Sequence, residues 1–407
     1  MLTFLLDGEF LTRSRVRLWA VGLVIAFGAS LVFLAVTAHG LNDFKGRPLG
    51  TDFADVYTAG MLARDGVPAA AYDPARHYRQ QQATFGIETP YYGWHYPPFF
   101  LAIASALAAF PYIPALLLWL GATLAAYLWA MRALQRAGPA PELLRDRMWL
   151  LLVLAFTAVF VNLVHGQNGF FTTTLMAGAL ALIDRRPIVA GVLFGLMAYK
   201  PQFAVLIPIV LVSDCRWKTL AAAAVTVAVL VVMATFAFGP GIWPAFAGSS
   251  EFSRVVVLEQ GNTGFEKIQS VFAAVRLIGG SVGAAYAAQA AVSLLVAMAL
   301  VMLWRGPASM TLKGAGLCLG LLLATPYCLD YDLMLLAPAI ALLASEGRAR
   351  GWRPGEMLVL SALWLMPIAV RLVAGATHIS LGSVLMALCF VLIMRRAMQG
   401  RFVALAA

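Results

Sequence analysis

Apolar runs separated by short basic clusters recur along this chain from Leu18 to Met394, and that pattern leaves few folds open. The first run, Leu18–Ala38, holds 21 residues without a charge, enough to cross about 30 Å of hydrocarbon. Twelve more follow at 97–110, 114–131, 148–164, 168–183, 188–199, 202–212, 219–238, 282–304, 311–325, 333–345, 356–374 and 381–394. Of the 407 residues 62% are apolar and 12% charged, against roughly 45–50% and about 25% in soluble domains. So few charges cannot cover a water-facing surface, and the solvent for most of this chain must be lipid. The expected class is an all-α integral membrane protein, a single membrane domain over residues 1–407.

The net charge of +10 does not point to nucleic acid. The basic residues sit in clusters between apolar runs, which is how orientation in a bilayer is encoded. Arg13, Arg15 and Arg17 precede a run too long for the apolar region of a cleaved leader, so it reads as a retained first helix. Cys215, Cys318, Cys328 and Cys389 show no metal-ligand spacing, and neither a disulfide framework nor a zinc site is expected. No metal and no cofactor is anticipated.

With the N-terminus placed inside by its arginines, residues 39–96 face outward. If 97–110 and 114–131 both crossed, Arg132, Arg136, Arg145 and Arg147 would lie outside and every later basic loop would be inverted. If only 114–131 crosses, all those loops fall inside, as the charge rule demands. The 14-residue run opened by Pro97-Pro98 is therefore an interfacial or re-entrant helix, and the outer loop with its interfacial helices extends over 39–112. About twelve transmembrane helices remain, with both termini inside and a second large outer loop at 239–281. The runs 188–199 and 202–212 are short and meet at Lys200-Pro201-Gln202. Irregular backbone at that depth is tolerated only when buried in protein or lining a wet cavity.

Residues able to do chemistry gather on the outward side. Asp52, shortly after the first span, could act as general base for a hydroxyl or simply cap a short helix. Asp55, one turn on, is a partner, a substrate contact or a solvated residue. Asp73 before Pro74 reads as a turn or cap. Lys200 is either matched to an anion or a lysine snorkelling at a helix end. His95 is either a phosphate or sugar contact or a structural histidine. His165, Gln167 and Asn168 share one outward turn, where they would line a pocket or cap helix ends. Tyr327, Asp330 and Asp332 form a second outward cluster. Asp330-Tyr331-Asp332 mimics a metal-binding DxD, though a sugar contact or a helix cap is the better reading. Arg254, Glu259, Lys267 and Arg276 would hold a donor phosphate, hold lipid headgroups or remain solvated.

The ordered motifs Asp52-Phe53 with Tyr57 and Ala59-Gly60, Tyr72-Asp73-Pro74, Tyr96-Pro97-Pro98-Phe99, Gly166-Gln167-Asn168-Gly169, Lys200-Pro201-Gln202 and Pro326-Tyr327 with Tyr331-Asp332-Leu333 resemble glycosyltransferase family 87, over about residues 18–345. The family includes polyprenyl-phosphate-mannose-dependent α-(1,2)-mannosyltransferases. The resemblance implies a GT-C type multi-span bundle with juxtamembrane helices in the first outer loop. It also implies inverting transfer of a hexose, mannose first, from a polyprenyl-phosphate-linked donor to a lipid or glycan acceptor. Carried onto this chain, the base is Asp52, with Asp55 the alternative because Asp55-Val56-Tyr57 also aligns to the family's acid. Asp55, Tyr57, His95, Tyr96, Gln167, Asn168, Lys200, Gln202, Arg254, Lys267, Tyr327 and Asp332 become substrate-binding candidates. A bacterial inner membrane, with the site facing the periplasm, is the implied location. Two rivals stay open: a multi-span transporter or lipid flippase, and a polysaccharide ligase or polymerase using a lipid-pyrophosphate donor.

Overall fold

The computed structural model describes residues 6–406. Every regular element among them is helical. Six helices are long and apolar enough to cross a bilayer: Arg13–Val36, Tyr112–Ala137, Trp217–Phe238, Val282–Arg305, Glu356–Thr377 and Leu381–Gln399. A seventh crossing arises if Arg147–Ala155 and Thr157–His165, which meet at 50°, are one span. The other apolar runs form shorter helices, Gly169–Leu182, Pro187–Tyr199, Pro201–Ser213 and Met310–Ala324. At 1.5 Å per residue a 15-residue helix such as Met310–Ala324 falls short of 30 Å of hydrocarbon. The twelve crossings expected from hydropathy thus meet six helices of full length, or seven with the bent pair.

The long and short helices occupy different environments. Trp217–Phe238 buries only Thr219 and Ala234, and Phe236 is 87% exposed. Exposed apolar surface on that scale requires an apolar solvent. By contrast, every residue from Thr311 to Leu323 is buried, as is most of Gly169–Leu182. The short helices Gly169–Leu182 and Met310–Ala324 lie at the centre of the bundle, while Trp217–Phe238 lies on its apolar rim.

The segment between the first two long helices carries its own local instructions. Asp73 caps Pro74–Phe85, its carboxylate accepting from the Ala75 and Arg76 N–H groups at 2.9 and 3.1 Å, with Pro74 in the first turn. Phe53–Arg64 lies against Phe100–Leu107, and Gly60 makes that approach possible. A Cβ there would sit 2.1 Å from the Ala104 carbonyl oxygen. The run at 97–110 yields only the eight-residue helix Phe100–Leu107, too short to cross. Its Phe100 stacks on Tyr199 at 4.9 Å between ring centroids, and Tyr96 stacks on the same ring at 6.2 Å. This aromatic cluster joins the segment between the first two long helices to the broken stretch at 197–200.

Candidate active site

Asp52 stands at the start of Phe53–Arg64 yet does not cap it: no cap hydrogen bond reaches its side chain. Its Oδ2 accepts instead from Gln167 Nε2 at 2.8 Å, and its backbone N–H donates to the His165 carbonyl at 3.1 Å. Both anchors come from residues 165–168, the turn between Thr157–His165 and Gly169–Leu182. Gly166 sits at φ 61°, and a Cβ on it would approach the Phe53 Cβ to 2.7 Å and the Gly50 carbonyl to 2.8 Å. Only glycine lets the turn press this closely on the start of the acid's helix. His165 adds a contact from Nδ1 to Thr51 Oγ1 at 2.7 Å.

The same turn extends the network inward. Asn168 donates from Nδ2 to the Tyr96 hydroxyl at 2.6 Å, and its N–H donates to Gln167 Oε1 at 3.2 Å. The Tyr199 hydroxyl contacts Thr172 Oγ1 and donates to the Asn168 carbonyl. Asp55 is buried, and its Oδ1 finds no partner among the described residues. Burial pushes its carboxyl well above the ordinary range, Asp52's charge adds to the rise, and Lys200 opposes it. Two carboxyls thus sit one turn apart, one held by an amide and the other desolvated.

Lys200 is not a snorkelling lysine. Its ammonium lies 2.5 Å from Asp332 Oδ1, and both side chains are almost fully buried, at 4% and 2% exposure. The rings of Tyr331 and Phe203 face the ammonium at 5.2 and 5.8 Å. Asp332 Oδ2 accepts from the Leu329 N–H at 3.0 Å. Asp330, two residues back, pairs bidentately with Arg371. The two aspartates of the DxD-like triplet therefore serve different cations, and no three His, Cys, Asp or Glu side chains converge as a metal site among the described residues. Burial raises the Tyr327 hydroxyl above its ordinary range, and the charges of Asp332, Asp52 and Asp55 add to the rise.

His95 joins the segment between the first two long helices to the segment that carries Ser253. Its Nδ1 is 2.5 Å from Ser253 Oγ, and its ring meets Tyr327 edge-on at 6.4 Å. The imidazole keeps some surface open, but its buried surroundings lower its pKa to about 4, so it is neutral at physiological pH. Lys267 precedes Ile268, which pairs with Leu329, and the Gln269 N–H donates to the Cys328 carbonyl at 2.6 Å. Lys267 is thereby carried beside the Asp330–Asp332 turn, and no acid pairs with it among the described residues.

Four candidates stand apart. The Tyr57 hydroxyl donates to the Phe110 carbonyl at 2.9 Å and its ring packs on Tyr112, an engagement that holds helices together. Arg254 is half-exposed and paired with Glu251 and Glu259 of its own loop. Arg276 donates to the Gly280 and Glu259 carbonyls, bracing the same loop. Gln202 is partly exposed, and its side chain makes no hydrogen bond among the described residues. Sequence reasoning missed Arg371, although an arginine inside the apolar run 356–374 is the signal that marks function in a membrane helix.

The family model of glycosyltransferase family 87 matches residues 94–326, from Trp94 beside His95 to Pro326 beside Tyr327. The matched region, 94–326, contains Tyr96, Gln167, Asn168 and Lys200, while Asp332 lies shortly after its end and Asp52 well before its start. No curated protein and no solved structure matches the chain. A match over more than half of its length makes this chain a member of glycosyltransferase family 87, an all-helical membrane glycosyltransferase.

Proposed function

We propose that the enzyme transfers a hexose, with mannose the first candidate, from a polyprenyl-phosphate-linked donor to a hydroxyl of a lipid or glycan acceptor. The reaction takes place on the outer face of a bacterial inner membrane, in a GT-C type bundle. Asp52 is the base. It takes the proton from the acceptor hydroxyl as that oxygen attacks the anomeric carbon, and the bond from that carbon to the lipid phosphate breaks on the opposite side, inverting configuration. The observation that carries this reading is the Asp52 carboxylate, held by Gln167 instead of capping its own helix. Its other oxygen has no hydrogen-bond partner among the described residues and is free to accept a proton.

The departing phosphate needs positive charge or hydrogen-bond donors more than it needs a proton. Lys200 is already neutralised by Asp332, so in this reading it positions the turn that carries Tyr327. Lys267 and the neutral imidazole of His95 meet the phosphate, with Tyr96 and Asn168 lining the sugar pocket. Asp55 tunes the charge beside the base.

The test is transfer of radiolabelled mannose from polyprenyl-phosphate-mannose to a lipid-extract acceptor, by enzyme purified in lipid. Wild type should transfer, while Asp52→Asn should elute as a folded protein and lose roughly 10²–10⁴-fold in rate. Equal rates for the two proteins would remove Asp52 from the base role. No transfer by wild type would exclude mannose and direct the same comparison to other polyprenyl-phosphate sugars.

A further inference from the structure

The end of the bundle opposite Asp52 carries an apolar groove of about 340 Å³, within the size range of built ligand sites. Trp19 of the first span, Met131, Trp149, Ala341, Ala344 and Trp364 are among its walls. Trp19 is 43% and Leu365 40% exposed, so the groove opens sideways toward the lipid. At its mouth a second hollow, sharing Asp146 and Met148 with the groove, is lined by Arg13, Arg17, Arg145, Arg147 and Glu142. Arg13 is committed to Asp146 at 2.9 Å. Arg17, Arg145 and Arg147 are exposed and have no ion pair among the described residues, against the single unpaired carboxylate of Glu142. The mouth is therefore cationic and the interior apolar.

We infer that this groove binds an anionic glycerophospholipid of the adjoining leaflet, its phosphate among Arg17, Arg145 and Arg147 and one acyl chain along the tryptophans. Charge complementarity selects this occupant. Guanidinium groups match phosphate oxygens in geometry as well as charge, and basic hollows between membrane helices recruit anionic headgroups. A neutral lipid would leave the arginines unmatched, and a soluble anion would leave the groove empty. The lipid sits at the far end of the spans from Asp52, so it is a bound structural partner and not the sugar donor. It bridges the first span, the Arg147–Ala155 helix, Leu336–Arg350 and Glu356–Thr377, which otherwise meet around open space.

The test uses the full chain, delipidated in detergent and titrated with phosphatidylglycerol or phosphatidylcholine of identical chains, with native mass spectrometry as the readout. Wild type should retain phosphatidylglycerol in preference to phosphatidylcholine. Arg17→Gln/Arg145→Gln should bind it roughly thirtyfold more weakly. Ala341→Trp, with the milder Ala344→Leu beside it, fills the groove and leaves every charge in place, and should also lose the lipid. Monodisperse elution of each variant establishes that it is folded. Equal retention of the two lipids by wild type, no uptake by wild type, or undiminished phosphatidylglycerol binding in the charge variant would overturn the proposal. Loss in the charge variant but not in the folded groove variants would reveal headgroup attraction alone, which overturns it as well.

Discussion

Replacing Lys200 by methionine leaves Asp332 a buried carboxylate whose remaining hydrogen-bond partner is the Leu329 N–H. Breaking a buried pair by removing one member costs about 3–5 kcal/mol. Protonation of the carboxyl sets a ceiling: reaching the neutral acid at pH 7 spans about 3 pK units at roughly 1.4 kcal/mol each, or about 4 kcal/mol. Lys200→Met should therefore lose about 3–4 kcal/mol. The double replacement Lys200→Met/Asp332→Leu removes both charges at similar volume and should return to within about 1 kcal/mol of wild type. Thermal melts of the four proteins in one detergent form the double-mutant cycle. A pH series supplies a second signature. Burial already raises the Asp332 carboxyl and Lys200 opposes that rise. Without Lys200 the folded state binds the Asp332 proton above the pH at which the unfolded chain releases it. Stability of Lys200→Met must then fall as pH rises above about 4, and its gap to wild type should be narrower at pH 5 than at pH 8. A double variant that melts below both single variants, or a gap that ignores pH, would refute this account of the pair.

Gln167→Leu removes a charge-assisted hydrogen bond worth about 1.5–3 kcal/mol. Steady-state kinetics should show kcat down roughly 10–100-fold with KM little changed; a KM effect alone would place Gln167 in binding. Asp55→Asn removes a carboxyl whose folded pKa lies above its unfolded value, a mismatch that lowers stability increasingly as pH rises above about 4. The variant should match or exceed the wild-type melting temperature at pH 8 and lose that advantage toward pH 4, and the reverse trend would contradict the desolvated Asp55. Gly60→Val drives a side chain into the Ala104 carbonyl and should lose about 1–3 kcal/mol in a thermal melt, whereas an unchanged melt would show that the two helices separate freely.

Hydropathy and charge made the helical class, the first long helix and the short helix after Pro97-Pro98 legible, because each depends on residues close together in sequence. The break at Phe156 was not legible. Residues 148–164 form an uninterrupted apolar run, and the 50° bend between its halves occurs where no proline or glycine announces it. The site divides the same way. Asp52 and the Gln167-Asn168 turn stood out as motifs, but a single sequence holds no record that Gln167 grips Asp52 across 115 positions. Lys200 called for an anion, yet several outward acids qualified, and choosing Asp332 took the fold of helices 132 residues apart. Tyr57 is a further case: its place in a motif suggested a substrate contact, and nothing in the sequence announced that its hydroxyl donates to the Phe110 carbonyl.

The Gly166–Asn168 turn has a consequence for anyone rebuilding this enzyme. Asp52 takes its backbone register from the His165 carbonyl and its side-chain orientation from Gln167, so the acid's coordinates are written in a different part of the chain from the acid itself. A chimera that grafts residues 39–96 from a homologue would carry the carboxylate without the datum that locates it. The transplantable unit is residues 39–96 together with residues 165–168, two pieces that an exchange must move as one.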